Sequence, residues 1–161
     1  AFLRLRLKNI FDEAGIRYDV AEAVLSDVDD VYACYARGEA VADAIKAEDM
    51  TAVIQAFVRT GNLAAKAEGG EIDPALFAVP EEKALYQAYT SAHSAVDSLL
   101  GGQDYAGAID ALRDLAAPID ALFDGVMVMD KEEKIRRNRL ALLSAVDHLI
   151  RRVADFDKIV L

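Results

Sequence analysis

The chain has no tryptophan, one cysteine, three prolines and nine glycines in 161 residues. A lone Cys34 cannot form a disulfide within the chain, and a cysteine-rich metal site is excluded with it. Glycine and proline, the two poorest helix formers, are scarce. No window of about 18 uncharged apolar residues occurs, so nothing reads as a membrane span. The N-terminus Ala1-Phe2-Leu3-Arg4 lacks the basic lead and the cleavage site of a signal peptide. The chain opens without Met, directly in apolar-periodic sequence. We read residues 1–161 as a single domain cut from something longer, with a composition that fits a reducing cytoplasm.

What is present points one way. Thirty alanines stand against those few glycines and prolines, which predicts an all-α helical bundle of about six to eight helices. With 54% hydrophobic residues the chain is too apolar to be disordered, and it is long enough to bury a core. The net charge of −10 argues against a nucleic-acid partner at first sight. Its distribution is uneven: residues 1–9 carry a net +3, residues 10–130 a net −16, and residues 131–161 a net +3. A small basic face on an acidic body therefore remains open.

Hydrophobic spacing places the helices. Leu3, Leu5 and Leu7 alternate as in a strand, but Leu3, Leu7, Ile10 and Phe11 fit a helical stripe ended by Gly15, and the composition favours helix. Asp19 is expected to cap a second helix running through Val28 to Tyr35, with a short third helix near Glu39–Ala47. A helix opening at Glu48 or Asp49 puts Met50, Val53, Ile54, Phe57 and Gly61 in the core and Gln55, Arg59, Asn62 and Lys66 on the opposite face. Gly69-Gly70 stops it. Pro80-Glu81-Glu82 begins the next, through Leu85, Tyr89, Ala92, Val96 and Leu99. Asp104 caps another, Pro118 starts a further turn, and the last helix is expected over about 131–156.

Catalytic chemistry finds little support. There is no phosphate-cradling glycine loop, no serine on a tight turn and no histidine pair at metal spacing. His93 and His148 read as helix-flank residues, Cys34 as small buried filler, and the adjacent acids (Asp29-Asp30, Glu81-Glu82, Glu132-Glu133) as solvated positions that cannot face one another. The last helix says more. Arg139 falls inside the apolar stripe of Ile135, Leu142, Val146, Leu149, Ile150 and Val153. A buried guanidinium needs a carboxylate, and Asp124 or Asp120, just before this helix, are the expected partners. Lys134, Arg137, His148, Arg151 and Arg152 point the other way, as either a solvated face or a phosphate-contacting ridge.

Three segments carry a family resemblance: Phe123-Asp124-Gly125-Val126-Met127-Val128-Met129-Asp130, Ile135-Arg136-Arg137-Asn138-Arg139-Leu140-Ala141-Leu142-Leu143, and Val153-Ala154-Asp155-Phe156. In this order they resemble the C-terminal end of the bacterial glycyl-tRNA synthetase beta subunit family. Tyr18-Asp19-Val20 and Phe57-Val58-Arg59-Thr60-Gly61-Asn62-Leu63 are similar to its upstream motifs, so the likeness covers essentially the whole chain. Departures are Val58 where the family has Lys, Leu122 where it has Phe, and Asp157 where it has Ser; Arg59 is then the remaining cation at its site.

The resemblance implies a DALR-type anticodon-binding domain, an all-helical bundle shared with arginyl-tRNA synthetase. It further implies an α2β2 glycine–tRNA ligase in which the alpha subunit holds the aminoacylation site with its ATP and magnesium. This chain would be a non-catalytic, cytoplasmic fragment that binds tRNA-Gly, with no cofactor, metal, membrane or DNA of its own. The string Asp110-Ala111-Leu112-Arg113 spells the domain's nickname and is read as ordinary helix. Two ridges are the expected tRNA contacts: Gln55, Arg59, Asn62 and Lys66, and Lys134, Arg137, Arg151 and Arg152. The alternative is a helical interaction module that docks the alpha subunit or the rest of the beta chain. Ridges converging on one face would favour RNA; diverging ridges with an exposed apolar patch would favour docking.

Overall fold

The computed structural model of the chain describes residues 2–25 and 31–161. These residues form eight α-helices and no strand: α1 (Phe2–Glu13), α2 (Tyr18–Val24), α3 (Val31–Ala44), α4 (Met50–Ala64), α5 (Pro80–Gly101), α6 (Tyr105–Arg113), α7 (Ala116–Gly125) and α8 (Glu133–Arg151). Short 3₁₀ turns occupy Pro74–Leu76 and Phe156–Lys158. The all-α expectation holds. None of the described helices is long and apolar enough to cross a membrane.

Helix α1 resolves the strand-or-helix ambiguity at the N-terminus. It buries Leu7 and Phe11, four residues apart, while Leu3 and Leu5 stay exposed. The Phe11 ring stacks on Tyr35 of α3, with centroids 5.6 Å apart. Gly38 lets α3 approach this closely, because a Cβ there would sit 2.6 Å from the Phe11 ring. Tyr35 and Glu39 share α3, so the separate short helix expected near Glu39–Ala47 is merged into one longer element. Val28, expected in the second helix, and Asp29-Asp30 lie outside the described residues.

Asp19 is not the cap of α2. The cap position falls on Arg17, without a side-chain cap bond, and Asp19 lies inside the helix at 1% exposure. Its carboxylate accepts two hydrogen bonds from Arg17, at 3.1 and 2.6 Å, and the Val160 N–H at 2.7 Å. Arg17 also donates to the Val160 carbonyl at 2.8 Å, so the pair brackets both polar sides of one residue. Burial opposes the charge of Asp19, but Val160 and Arg17 outweigh it and hold the carboxyl below its ordinary range. The tail is fastened a second time where Asp155 N–H donates to the Ala23 carbonyl at 2.8 Å.

Helix α8 is central, with Leu142, Leu143 and Val146 fully buried. Helix α4 lies antiparallel to it: Phe57 meets Phe156 at 5.4 Å between centroids, Gly61 abuts Asp147 and Arg151, and Glu68 reaches Arg137. Helix α5 runs parallel to it, with Glu82 on Arg139 at one end and Asp97 on Arg152 at the other. The helix stops at Arg151 rather than near 156, and the chain turns through the buried Val153 and Ala154 into the second 3₁₀ turn. Asp104 caps α6 as expected, accepting the Gly107 N–H at 2.9 Å. Arg113 ties α6 to the start of α4 through Asp49, at 2.6 and 2.5 Å to its two oxygens.

Candidate nucleic-acid interface

The first turns of α8 hold four consecutive polar residues with four different tasks. Arg136 donates to the Asp130 carbonyl at 3.3 Å, and Arg137 hydrogen-bonds Glu68 at 3.1 Å. Asn138, 4% exposed, grips both sides of Asp73: its Oδ1 accepts the Asp73 N–H at 2.7 Å and its Nδ2 donates to the Asp73 carbonyl at 3.0 Å. Arg139, 5% exposed, donates to Glu82 and to the Met127 carbonyl at 2.6 Å, with Asp130 at 3.7 Å. The expected carboxylate partner of Arg139 is thus present, but it is Glu82, not Asp124 or Asp120. Those two lie exposed on α7, whereas α5 delivers Glu82, 1% exposed, beside the guanidinium. The same Glu82 accepts the Ala78 N–H at 2.6 Å and the Val79 N–H at 3.4 Å, so one carboxylate satisfies both a buried cation and the start of α5.

Most of the basic ridge on α8 is already engaged with acids. Arg137 pairs with Glu68 and Glu133, and Arg152 with Asp97. Arg151 meets Asp147, Asp155 and Asp157 at 3.0 to 3.2 Å. Burial works against the charge of Arg151, but Asp157 and Asp147 overcome it and raise its pKa above the ordinary arginine value. Arg152 in turn holds the Asp97 carboxyl below its usual range. Lys134 has no ion pair among the described residues. With Arg137 and Asn138 it lines a groove of about 340 Å³ against Gly69 and Gly70, whose φ of 86° and 104° suit glycine alone.

The α4 ridge is exposed along its length: Gln55, Arg59, Asn62 and Lys66 all face out. Arg59 lies over the Phe123 ring of α7, 4.2 Å from its centroid, a cation–π contact. Gly61, two residues on and about 200° around the helix, faces Arg151 instead. The two ridges therefore sit on opposite flanks of α4 and do not converge on one seam, an outcome that by itself counts toward the docking alternative rather than toward a single RNA face. Exposed apolar side chains gather on α1, where Phe2 is 70% and Leu5 61% exposed.

Sequence reading passed over one further feature. Phe77, Tyr86, Tyr89 and His93 form a continuous row of rings along α5, with successive centroids 5.5, 6.5 and 5.8 Å apart. Tyr89 was expected in the core and is only half-buried at its edge. The signal was legible as aromatic residues at spacings of three and four.

His93 sits 3.3 Å from Asp97, and His148 packs on the Ser144 carbonyl at 2.7 Å. Cys34 is buried and donates to the Val24 carbonyl at 3.3 Å. No group of three or more metal-ligating side chains occurs among the described residues.

Comparison with known proteins places the chain among relatives. Over 160 residues the chain is 39% identical to a glycine–tRNA ligase beta subunit of Clostridioides difficile, covering 99% of this chain and 23% of that protein. The beta subunit of Desulforudis audaxviator is 39% identical over 158 residues, and that of Syntrophus aciditrophicus 40% over 161, each with 23% of its own length covered. The chain thus spans about a quarter of the length of these relatives. Residues 53–156, from α4 through α8 to the second 3₁₀ turn, match the family described as the DALR anticodon binding domain. On that match, which takes in both basic ridges and the ring row, the chain belongs to the DALR anticodon-binding domain family.

Proposed function

We propose that this chain is the tRNA-reading domain of a glycine–tRNA ligase beta subunit and that it grips tRNA-Gly near the anticodon. The observation that carries the reading is where acids are missing. In a chain with 28 Asp and Glu, residues 50–67, 83–96 and 134–146 contain none. These stretches are α4, most of α5 and the first two-thirds of α8, with α4 and α5 each packed on α8. A ligand of phosphates meets least repulsion there. Arg59 and Lys66 serve one flank, and Lys134 and Arg137 the groove beside Gly69 and Gly70. Arg137, Arg151 and Arg152, all held by carboxylates, can reach a phosphate only by exchanging partners. No reacting atom is assigned to this chain; aminoacylation, with ATP and magnesium, belongs to the alpha subunit in this reading.

The test is a salt titration of tRNA-Gly binding by the whole ligase, with an anticodon-altered tRNA as control. Arg59→Glu and Arg137→Glu should weaken binding and lower the log–log salt slope by about 1 for each phosphate left without its cation. Unchanged affinity and slope in both variants would show that these ridges are the wrong surfaces.

One observation favours a second role beside the first. The exposed Phe2, Leu3 and Leu5 of α1 lie outside the matched segment, and the relatives are about four times as long. In that role α1 docks the rest of the beta chain or the alpha subunit.

A further inference from the structure

We infer that the ring row of α5, from Phe77 through Tyr86 and Tyr89 to His93, is a stacking shelf for unpaired nucleobases of the bound RNA, a deepening that rests on the tRNA-reading assignment. A base needs a flat apolar face to lie on, polar groups at its edge and a cation for its phosphate. The row supplies the first as separate ring faces, each able to take one base, since successive rings are inclined by 59°, 34° and 67°. Tyr86, Tyr89 and His93 recur at three and four residues, which aligns them on one side of α5 over about 10 Å of helix.

Polar groups come from the neighbouring turn. Lys83 and Gln87, both exposed, line the same groove as Phe77 and Tyr86 beside Pro74 and Pro80. That groove measures about 790 Å³, within the range of sites that take small ligands. Lys83 forms no ion pair among the described residues, and no acid follows it until Asp97. Glu81 and Glu82 are turned elsewhere, Glu81 toward Gly125 and Glu82 onto Arg139. Burial, then the neighbouring Tyr86, raises the Tyr89 phenol, so it stays protonated and able to donate.

Position argues the same way. Because α5 runs parallel to α8, the row is bracketed by cations at both ends of α8. Asn138, beside Lys134 and Arg137, holds Asp73, the cap of the turn that precedes Phe77. Arg152 holds Asp97, which also contacts His93. A single strand laid along the rings would have Lys134 and Lys83 near one end of its path, and at the other Arg152, which must release Asp97 to meet a phosphate.

The experiment uses the whole ligase and tRNA-Gly transcripts carrying 2-aminopurine at single anticodon-loop positions. Tyr86→Leu keeps the apolar volume and removes the ring. It should weaken binding at least about fivefold and relieve 2-aminopurine quenching at one or more positions, with the salt slope unchanged. Tyr86→Phe should retain both affinity and quenching. His93→Ala, at a side chain 46% exposed, tests the far end of the row without disturbing the core and should also weaken binding. Parental affinity in both Tyr86→Leu and His93→Ala overturns the inference. So does a loss shared by Tyr86→Phe, which would assign the effect to the hydroxyl, or a loss of subunit assembly without loss of tRNA, which would make the row a protein contact. If Arg59→Glu and Arg137→Glu weaken binding while the ring variants do not, tRNA reading stands and the shelf alone falls.

Discussion

Replacing Glu82 by Gln breaks the buried ion pair that joins α5 to α8 with little change of shape. The substitution keeps the side chain's shape and its ability to accept the Ala78 N–H, so the start of α5 is still satisfied. What it removes is the negative charge beside Arg139, a guanidinium only 5% exposed, together with the second acceptor oxygen, so that an amide N–H is left facing the Arg139 N–H. Breaking one half of such a pair costs about 3 to 5 kcal/mol, because the other charge is left buried. The Met127 carbonyl and Asp130 at 3.7 Å stay near the guanidinium, which puts the expected loss toward the lower end, about 3 kcal/mol. For a domain of this size that lowers the melting temperature by roughly 6 to 12 °C. Thermal unfolding followed by circular dichroism, with urea titration for the free energy, reads the change directly. Adding Arg139→Met removes the orphaned charge, and the double variant should be more stable than Glu82→Gln alone. Asp124→Asn and Asp120→Asn, at exposed positions, should stay within about 0.5 kcal/mol of the parent. A Glu82→Gln loss below about 1 kcal/mol, or a double variant no more stable than the single, would refute the account of this pair.

Two more outcomes follow from the geometry. The Asp19 carboxyl titrates below its ordinary value of 3.8, so its contribution is complete above that pH and is lost as pH falls through 3.8 toward the folded value. Asp19→Asn should therefore flatten the acid limb of the stability curve, seen as a smaller drop in urea midpoint between pH 6 and pH 3; an unchanged limb would sink the argument. Asn138→Ala removes both hydrogen bonds to Asp73 and should cost about 1 to 3 kcal/mol. It should also speed tryptic cleavage after Lys66, since the segment leading to Asp73 loses its anchor; equal cleavage rates would show that the anchor is elsewhere.

The helices were legible because apolar residues recur at three and four in alanine-rich sequence, a signal carried within each segment. Where a residue's role depends on a distant partner, local pattern misled. Asp19 looks like a cap beside its own helix, yet its partner Val160 is 141 residues away. That Arg139 needs a carboxylate could be read from its place in the apolar stripe. Which carboxylate could not, because chain proximity favoured Asp124 and the packing of α5 on α8 delivered Glu82. The basic residues of α8 were visible, but their acidic partners Glu68 and Asp97 come from other elements. Tyr89 was placed in the core on its period alone, and its neighbours in the ring row show it at the rim.

The stitch between α2 and the tail has a consequence for where this domain can be cut. Similarity to the family covers residues 53–156, but Asp19 lies before that span and Val160 after it. Trimming the chain to the shared segment would discard both halves of the stitch together with α1, α2 and α3. It would bare the faces of α6 and of the second 3₁₀ turn that those helices cover. Trimming only after Phe156 would be worse in a different way, since Asp19 would lose its Val160 N–H and keep its charge in a buried place. The segment that matches the DALR family and the unit that can hold itself together are therefore not the same length of chain, although similarity to the beta subunits runs over 99% of it.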